Sequence, residues 1–172
     1  MERLLVISSL MLISAYIVSV CVKLGDIPNS VSSTFYHLKH RFIFALVMIG
    51  TVILLMPAIL EITPENIQAI AFISCAGIIV VGVSPDFRSD TDGKIHQTGA
   101  FICITGSQLW VALMYPFTLI IWLAYIPYIL TMYFIYREKG MSNKESLMST
   151  KPFFFVELSS IISFYSSLII LA

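Results

Sequence analysis

GAFICITGSQLWVALMYPFTLIIWLAYIPYILTMYFIY, residues 99–136, contains no charged side chain. As one α-helix rising 1.5 Å per residue it would be close to twice the roughly 30 Å of a bilayer's hydrocarbon core. The stretch must fold back, and Tyr115-Pro116 is where it does so most easily. Proline cannot donate to the helix ladder, and its ring disfavours helix at the preceding residue. This reading places one span over 97–114 and another over 117–136. Pro127 should bend the second, because a neighbour must replace the hydrogen bond it removes where no water is present.

Four more apolar runs flank this pair. Residues 4–22, 42–60, 67–83 and 153–172 each approach the roughly 20 residues a spanning helix needs. The first is read as a retained span and not as a cleaved signal. Its flank Met1-Glu2-Arg3 is barely basic, and Val20 stands before Cys21 where a lipoprotein-type cleavage would want a small residue. Closed barrels need strands of alternating polarity, which these runs lack. The expected fold is all-α: one transmembrane domain, 1–172, of six helices.

Charge placement orients this bundle. Nine of the ten Lys and Arg residues fall in every second gap between the runs: Lys23, Lys39, Arg41, Arg88, Lys94, Arg137, Lys139, Lys144 and Lys151. Only Arg3 maps to the other side, and the turn Glu61–Asn66 carries two acids and no base. Basic residues beside short loops stay cytoplasmic, so both termini are expected on the non-cytoplasmic side. The whole chain is 58% hydrophobic and 12% charged with net charge +0, against about 25% charged for soluble domains. No global field attracts nucleic acid, which removes that class of partner. Membrane lipid, another protein or a second copy of the chain remain. Cys21, Cys75 and Cys103 all lie inside apolar runs and are odd in number. They read as small packing residues, not a disulfide framework.

Small residues suggest how the helices touch. Gly99, Cys103 and Ser107 recur every four residues in the fourth span, and Ala71 and Cys75 begin a similar stripe in the third. Such stripes let backbones approach where lipid supplies no hydrophobic drive for association. The sixth span carries Ser159, Ser160, Ser163, Ser166 and Ser167, hydroxyls able to bond within their helix or across to another.

Reactive groups concentrate on the expected cytoplasmic side. Asn29 or Ser30, after Pro28, could cap a helix running into the second span. Ser33, His37 and His40 would then share one face. The loop Ser84–His96 adds Asp86, Asp90, Asp92 and His96, with Asp92 and His96 four apart if a helix opens at Asp90 or Thr91. A catalytic set of Ser33, His37, Asp92 and His96 follows. Its metal ligands would come from His37, His40, His96 and Asp86, with Asp92 a further candidate and zinc the candidate metal. The bland alternative is that histidines and aspartates collect at helix ends because they are costly in hydrocarbon. Glu157 is the one carboxylate inside a run. It points either to a functional partner in the bundle or to the headgroup layer beside Lys151 or Arg137. Gln108, deep in the fourth span, reads as an interhelical hydrogen-bonding group.

The stretch Gly77–Asp86 (GIIVVGVSPD) and the following Ile95–Ala100 (IHQTGA) resemble a known pattern. Small six-span proteins related to the damage-regulated autophagy modulators, and a bacterial family of the same size, end a third helix with V-G-x-x-P and open the next with H-x-x-G-A. The resemblance implies a six-helix fold and, through some relatives, work connected with lipid. A second similarity, Ser33-x-x-x-His37 with a later Asp and His, is to transmembrane zinc amidases of the alkaline ceramidase type. Those enzymes carry an H-x-x-x-H pair on their last helix, and the sixth run here contains no histidine.

Three function classes follow. The first is a non-catalytic, lipid-associated or scaffolding membrane protein, with Trp110, Trp122, Tyr125, Tyr128 and Tyr133 as contact area. The second is a metal-dependent lipid-modifying hydrolase using the cytoplasmic Ser/His/Asp set. The third is a small transporter or channel subunit using Glu157 and Gln108. The lipid-associated reading is preferred on the family resemblance.

Overall fold

The structure, a computed structural model, describes residues 1–172 and contains helices and connections only. Helix α1 covers Glu2–Leu24, α2 Phe42–Ile62, α3 Gln68–Val83, α4 Asp90–Met114, α5 Ile126–Glu138, α6 Asn143–Ser149 and α7 Pro152–Leu171. Short 3₁₀ segments stand at Ser32–His37, Glu65–Ile67 and Pro116–Tyr125. The chain is an all-α bundle. Five helical stretches are long and apolar enough to cross a membrane: Glu2–Leu24, Phe42–Ile62, Glu65–Val83, Pro116–Glu138 and Pro152–Leu171.

The bundle is built with its polar groups inward. Along α1, Leu4, Met11, Val18 and Val22 face outward while Ser9 and Tyr16 are buried with Val6, Ile13 and Val20. In α2, Leu46 and Ile53 are exposed and Thr51 is buried; in α7, Ser159, Ser160, Ser163 and Ser167 are all buried. Hydrocarbon solvent explains this inversion: it accepts leucine freely but penalises any unpaired hydroxyl, so hydroxyls turn inward to partners or, like the exposed Ser19 and Thr105, bond the carbonyl one turn back.

Neighbours in sequence pack as neighbours in space, α1 on α2, α2 on α3 and α3 on α4, and α7 lies against α4, α1 and the 3₁₀ segment Pro116–Tyr125. The closest approach is between α3 and α4, along the small-residue stripes. A Cβ at Gly77 would stand 2.7 Å from the Cys103 nitrogen, and one at Gly99 would stand 2.7 Å from Val80 Cγ1. Glycine is needed at Gly77 because the obstacle is backbone.

Two local expectations change. No helix runs from Asn29 into α2. Ser30 and Ser33 bond reciprocally, Ser33 N to Ser30 Oγ at 2.9 Å and Ser30 N to Ser33 Oγ at 3.1 Å. The turn so nucleated ends at Leu38, whose backbone is extended at ψ 136. The shared face of Ser33, His37 and His40 therefore does not form. The fourth helix is capped by Ser89, whose hydroxyl accepts from Asp92 N at 3.1 Å, and not by Asp90 or Thr91. Its first turns carry Asp90, Asp92 and Lys94, all exposed, ahead of the apolar run.

The fifth run also departs from a bent α-helix. After Tyr115 breaks α4 (φ −154, ψ 76), Pro116–Tyr125 is a ten-residue 3₁₀ helix, and α5 begins at Ile126 with Pro127 in its first turn. Proline is accommodated there because first-turn N–H groups have no intrahelical acceptor. The change of helix type takes the place of a kink, and α5 has no buried residue.

Three connections gather at one end of the bundle. Lys151 Nζ meets Asp26 Oδ2 at 2.5 Å, and Phe154 N donates to Asn29 O at 3.1 Å. Tyr36 OH donates to Asp86 Oδ1 at 2.8 Å. The loop after α1 thus contacts both the loop after α3 and the segment that opens α7. At the opposite end Trp110, near the close of α4, donates through Nε1 to Thr63 Oγ1 at 2.8 Å, and the Thr118 and Ser167 hydroxyls bond at 2.6 Å.

Candidate functional site in the helix core

The cytoplasmic-side residues singled out from the sequence are placed separately. Ser33 Oγ donates to Ser30 O at 2.7 Å, so its hydroxyl is committed to a turn. His37 and His40 are exposed; His37 offers its carbonyl to Lys23 Nζ at 3.0 Å, and His40 lies 5.9 Å from the Phe42 ring. Asp92 is exposed on the first turn of α4. His96 is buried, donates through Nδ1 to Ser84 O at 2.9 Å and lies 5.4 Å from the Phe87 ring. Asp86 holds the Tyr36 hydroxyl. No three His, Cys, Asp or Glu side chains form a group able to hold a metal ion. The ligand set His37, His40, His96 and Asp86 is therefore not a centre in this fold, and Ser33, His37, Asp92 and His96 do not converge. The cause is the early stop of the Ser32–His37 turn, which leaves both first-loop imidazoles in solvent.

What assembles there is a packing cluster. Phe87 stands edge-on to Tyr36 at 5.0 Å, and the Arg88 guanidinium lies 4.1 Å over the Tyr36 ring. Partial burial, and then the hydrogen bond to Asp86, raise the Tyr36 phenol above its ordinary value. The cluster ties the first loop to the third. Trp110, expected as contact area, is fully buried with its ring 5.3 Å from Phe164.

Gln108 bonds across to two other elements. Its Nε2 donates to Ser160 Oγ at 3.0 Å, and its Oε1 accepts from Trp122 Nε1 and Ser163 Oγ, each at 2.8 Å. One amide thereby joins α4, the 3₁₀ segment and α7. Glu157 is half-buried and makes no ion pair with Lys151, which holds Asp26 instead. Its Oε2 accepts from Val31 N and, at 3.4 Å, from Ser32 N, while Oε1 accepts from Ser32 Oγ at 3.1 Å. The carboxyl sits at the N-terminus of the Ser32–His37 turn, where free backbone N–H groups need an acceptor.

Glu157 and Ser32 also border a cavity of about 110 Å³ in the bundle core, with 14 of its 20 lining residues hydrophobic. Ile13 of α1, Phe44, Met48 and Leu55 of α2, Ile78 and Val81 of α3, Ala100 and Ile104 of α4, and Ile161 and Phe164 of α7 form half of its wall. Cys75 and Cys103 contribute thiols, and Thr51, Ser74, Ser107, Ser160 and Tyr165 contribute hydroxyls. Most of these hydroxyls are paired: Ser74 donates to Ile70 O at 2.7 Å, Ser107 to Ile104 O at 3.0 Å, and Tyr165 bonds Ser9 at 2.6 Å. No sequence motif announces the cavity, because five helices and one turn share its lining, α1 giving it Ile13 alone. The intramembrane carboxylate was the one visible signal. Comparison of the chain with known protein families, with curated proteins and with solved structures finds no match.

Proposed function

We propose that this chain is a small six-span membrane protein associated with lipid, which admits an apolar molecule from the bilayer into its core cavity. The observation that carries the reading is the cavity itself: about 110 Å³, mostly apolar, bounded by α1–α4 and α7. A cavity of about 150 Å³ lined by aliphatic and aromatic residues stays dry and takes benzene, so a ring or a few carbons is the size that fits here. Folded interiors close-pack, and a void of this size is a feature to be explained.

Helix α4 is the sixth span in this reading. It has 25 residues, about 37 Å at 1.5 Å per residue. Its start lies beside the first loop through the Tyr36 and Asp86 bond, and its end beside the α2–α3 turn through the Trp110 and Thr63 bond. These contacts support a full crossing, although Gln97, Thr98, Thr105, Ser107 and Gln108 make α4 the most polar of the long helices. With six crossings, nine basic residues share one end of the bundle, which the positive-inside rule makes cytoplasmic. The hydrolase reading has no converging ligand set behind it. The transport reading has Glu157, which is engaged with the first loop.

Trp110 gives a direct test, since its ring contacts Phe164 on the cavity wall. In a Trp122→Phe background it is the sole tryptophan. A short brominated alkane should quench it, and Ala100→Leu, which fills the cavity, should remove most of that quenching. Equal quenching in the filled variant would dispose of the reading.

A further inference from the structure

Among all buried side-chain nitrogens and oxygens of this protein, Thr51 Oγ1 alone has no hydrogen-bond partner. Thr51 is 4% exposed and lines the core cavity. A threonine within a helix ordinarily satisfies its hydroxyl on the carbonyl one turn earlier. Thr63 and Ser74 do so in this chain, at 2.5 Å to Ile59 O and 2.7 Å to Ile70 O. An unpaired hydroxyl in so apolar a setting costs about 1–3 kcal/mol. The backbone carbonyl of Thr51 meanwhile accepts from Ser9 Oγ at 2.9 Å, and Ser9 in turn bonds the Tyr165 hydroxyl. The residue is therefore held firmly while its hydroxyl stays uncommitted beside a cavity.

Resting on the reading of the cavity as a binding site, we propose that its ligand is a neutral, ring-sized apolar molecule bearing one hydrogen-bonding group, which pairs with Thr51 Oγ1. The wall defines the class. Aliphatic and aromatic side chains accept the ring, and one free hydroxyl accepts one polar atom. The hydroxyls of Ser74, Ser107 and Tyr165 are already paired. Water suits the cavity poorly, because buried waters hold about three hydrogen bonds and Thr51 supplies the one uncommitted hydroxyl, the free thiols of Cys75 and Cys103 being weak partners. A charged ligand is disfavoured too: no basic residue lines the cavity, and its carboxylate already accepts from Val31 and Ser32. Phenol has the right shape and chemistry as a probe.

The test compares 4-fluorophenol with fluorobenzene by fluorine NMR on the full chain in nanodiscs. The cavity-filling Ala100→Leu variant serves to subtract partitioning into lipid. Thr51→Val exchanges hydroxyl for methyl at nearly constant shape, and Thr51→Ser keeps the hydroxyl. Expected is a preference of roughly three- to tenfold for the phenol in the parent and in Thr51→Ser, falling to none in Thr51→Val, as one added hydrogen bond requires. If both probes bind specifically and equally in the parent, the Thr51 assignment is overturned and the cavity reading survives. If neither shows binding that Ala100→Leu abolishes, both fall together. A preference that persists in Thr51→Val places the polar contact elsewhere and also overturns the assignment.

Discussion

The Glu157 carboxyl of the last helix accepts the backbone N–H of Val31, 126 positions earlier in the chain. With Ser32 as a second partner through both N–H and hydroxyl, this contact pins the first loop against α7 where the core cavity begins. An acidic residue inside a span is thereby explained by geometry. It caps a turn that belongs to another part of the chain.

Replacing Glu157 should therefore loosen the loop and leave the helices in place. In Glu157→Gln the amide keeps one acceptor but presents an NH₂ group where donors converge. At about 1 kcal/mol per lost hydrogen bond, amide exchange at Val31 and Ser32 should accelerate by roughly fivefold or more. Helical content by circular dichroism should not change. Unaltered exchange at those two amides would contradict the capping role.

The neighbouring contact is pH-sensitive with a definite sign. The hydrogen bond from Lys151, and then that from the Ile27 N–H, hold the Asp26 carboxyl below its ordinary value. A depressed folded-state pKa contributes above the unfolded value, near 3.9 for aspartate, and that contribution is lost as pH falls through the lower folded value. Exchange protection of the Asp26–Asn29 segment should thus be level from neutral pH to about pH 4 and fall below it. Asp26→Asn should remove the pH step. Lys151 has left-handed backbone (φ 56) and also donates to Ile27 O, so Lys151→Gly should relieve backbone strain while losing both contacts.

Gln108 should be the most costly polar residue to remove. Gln108→Leu strands Trp122 Nε1, which Oε1 alone accepts, and takes from Ser163 Oγ one of its two acceptors, leaving it Ser160 O. Interhelical hydrogen bonds in membranes average about 0.6 kcal/mol. Two such losses plus the contact to Ser160 predict about 1–2 kcal/mol. Steric trapping in bicelles measures it directly. A double-mutant cycle with Trp122→Phe should show coupling, since the two share a bond.

Glycine substitutions should separate by what the added methyl meets. Gly77→Ala places a Cβ 2.7 Å from Cys103 N and 2.8 Å from Gly99 O, so α3 and α4 must part. Overpacking of this kind costs about 1–3 kcal/mol. Gly50→Ala meets only Leu12 Cδ2 at 3.2 Å, and a side-chain tip can yield. Thermal unfolding in detergent should rank Gly77→Ala well below Gly50→Ala; parity would mean that the α3–α4 approach is looser than described.

Topology is open to a simple check. Tags on Met1 and Ala172 should both be protease-accessible from the non-cytoplasmic side, and a cysteine at Arg88 should label from the cytoplasmic side. A terminus labelled from the cytosol would undo the proposed orientation, and termini labelled from opposite sides would undo the six crossings.

The apolar runs decided the helical architecture because a segment of about 20 apolar residues has few stable arrangements other than a spanning helix. Pro116 likewise marked the turn after α4, and Gly99 and Cys103 of the small-residue stripe lie on the face that meets α3, while Ser107 turns to Ser160 of α7. Other features were illegible for a definite reason. Helices apolar around most of their circumference carry no stripe that says which side turns inward. The inward position of Thr51, the capping of Val31 by Glu157 and the cavity among five helices therefore had no trace in local pattern. The grouping of Ser33, His37 and His40 failed because helix spacing was assumed across Leu38, where reciprocal bonding of Ser30 and Ser33 ends the turn early. By itself the chain determined its solvent, the helical character of its runs and where its basic residues lie, since these depend on transfer energies summed along a segment. Which hydroxyls meet, which one stays unpaired and what space they enclose were decided only by how the helices rotate against one another.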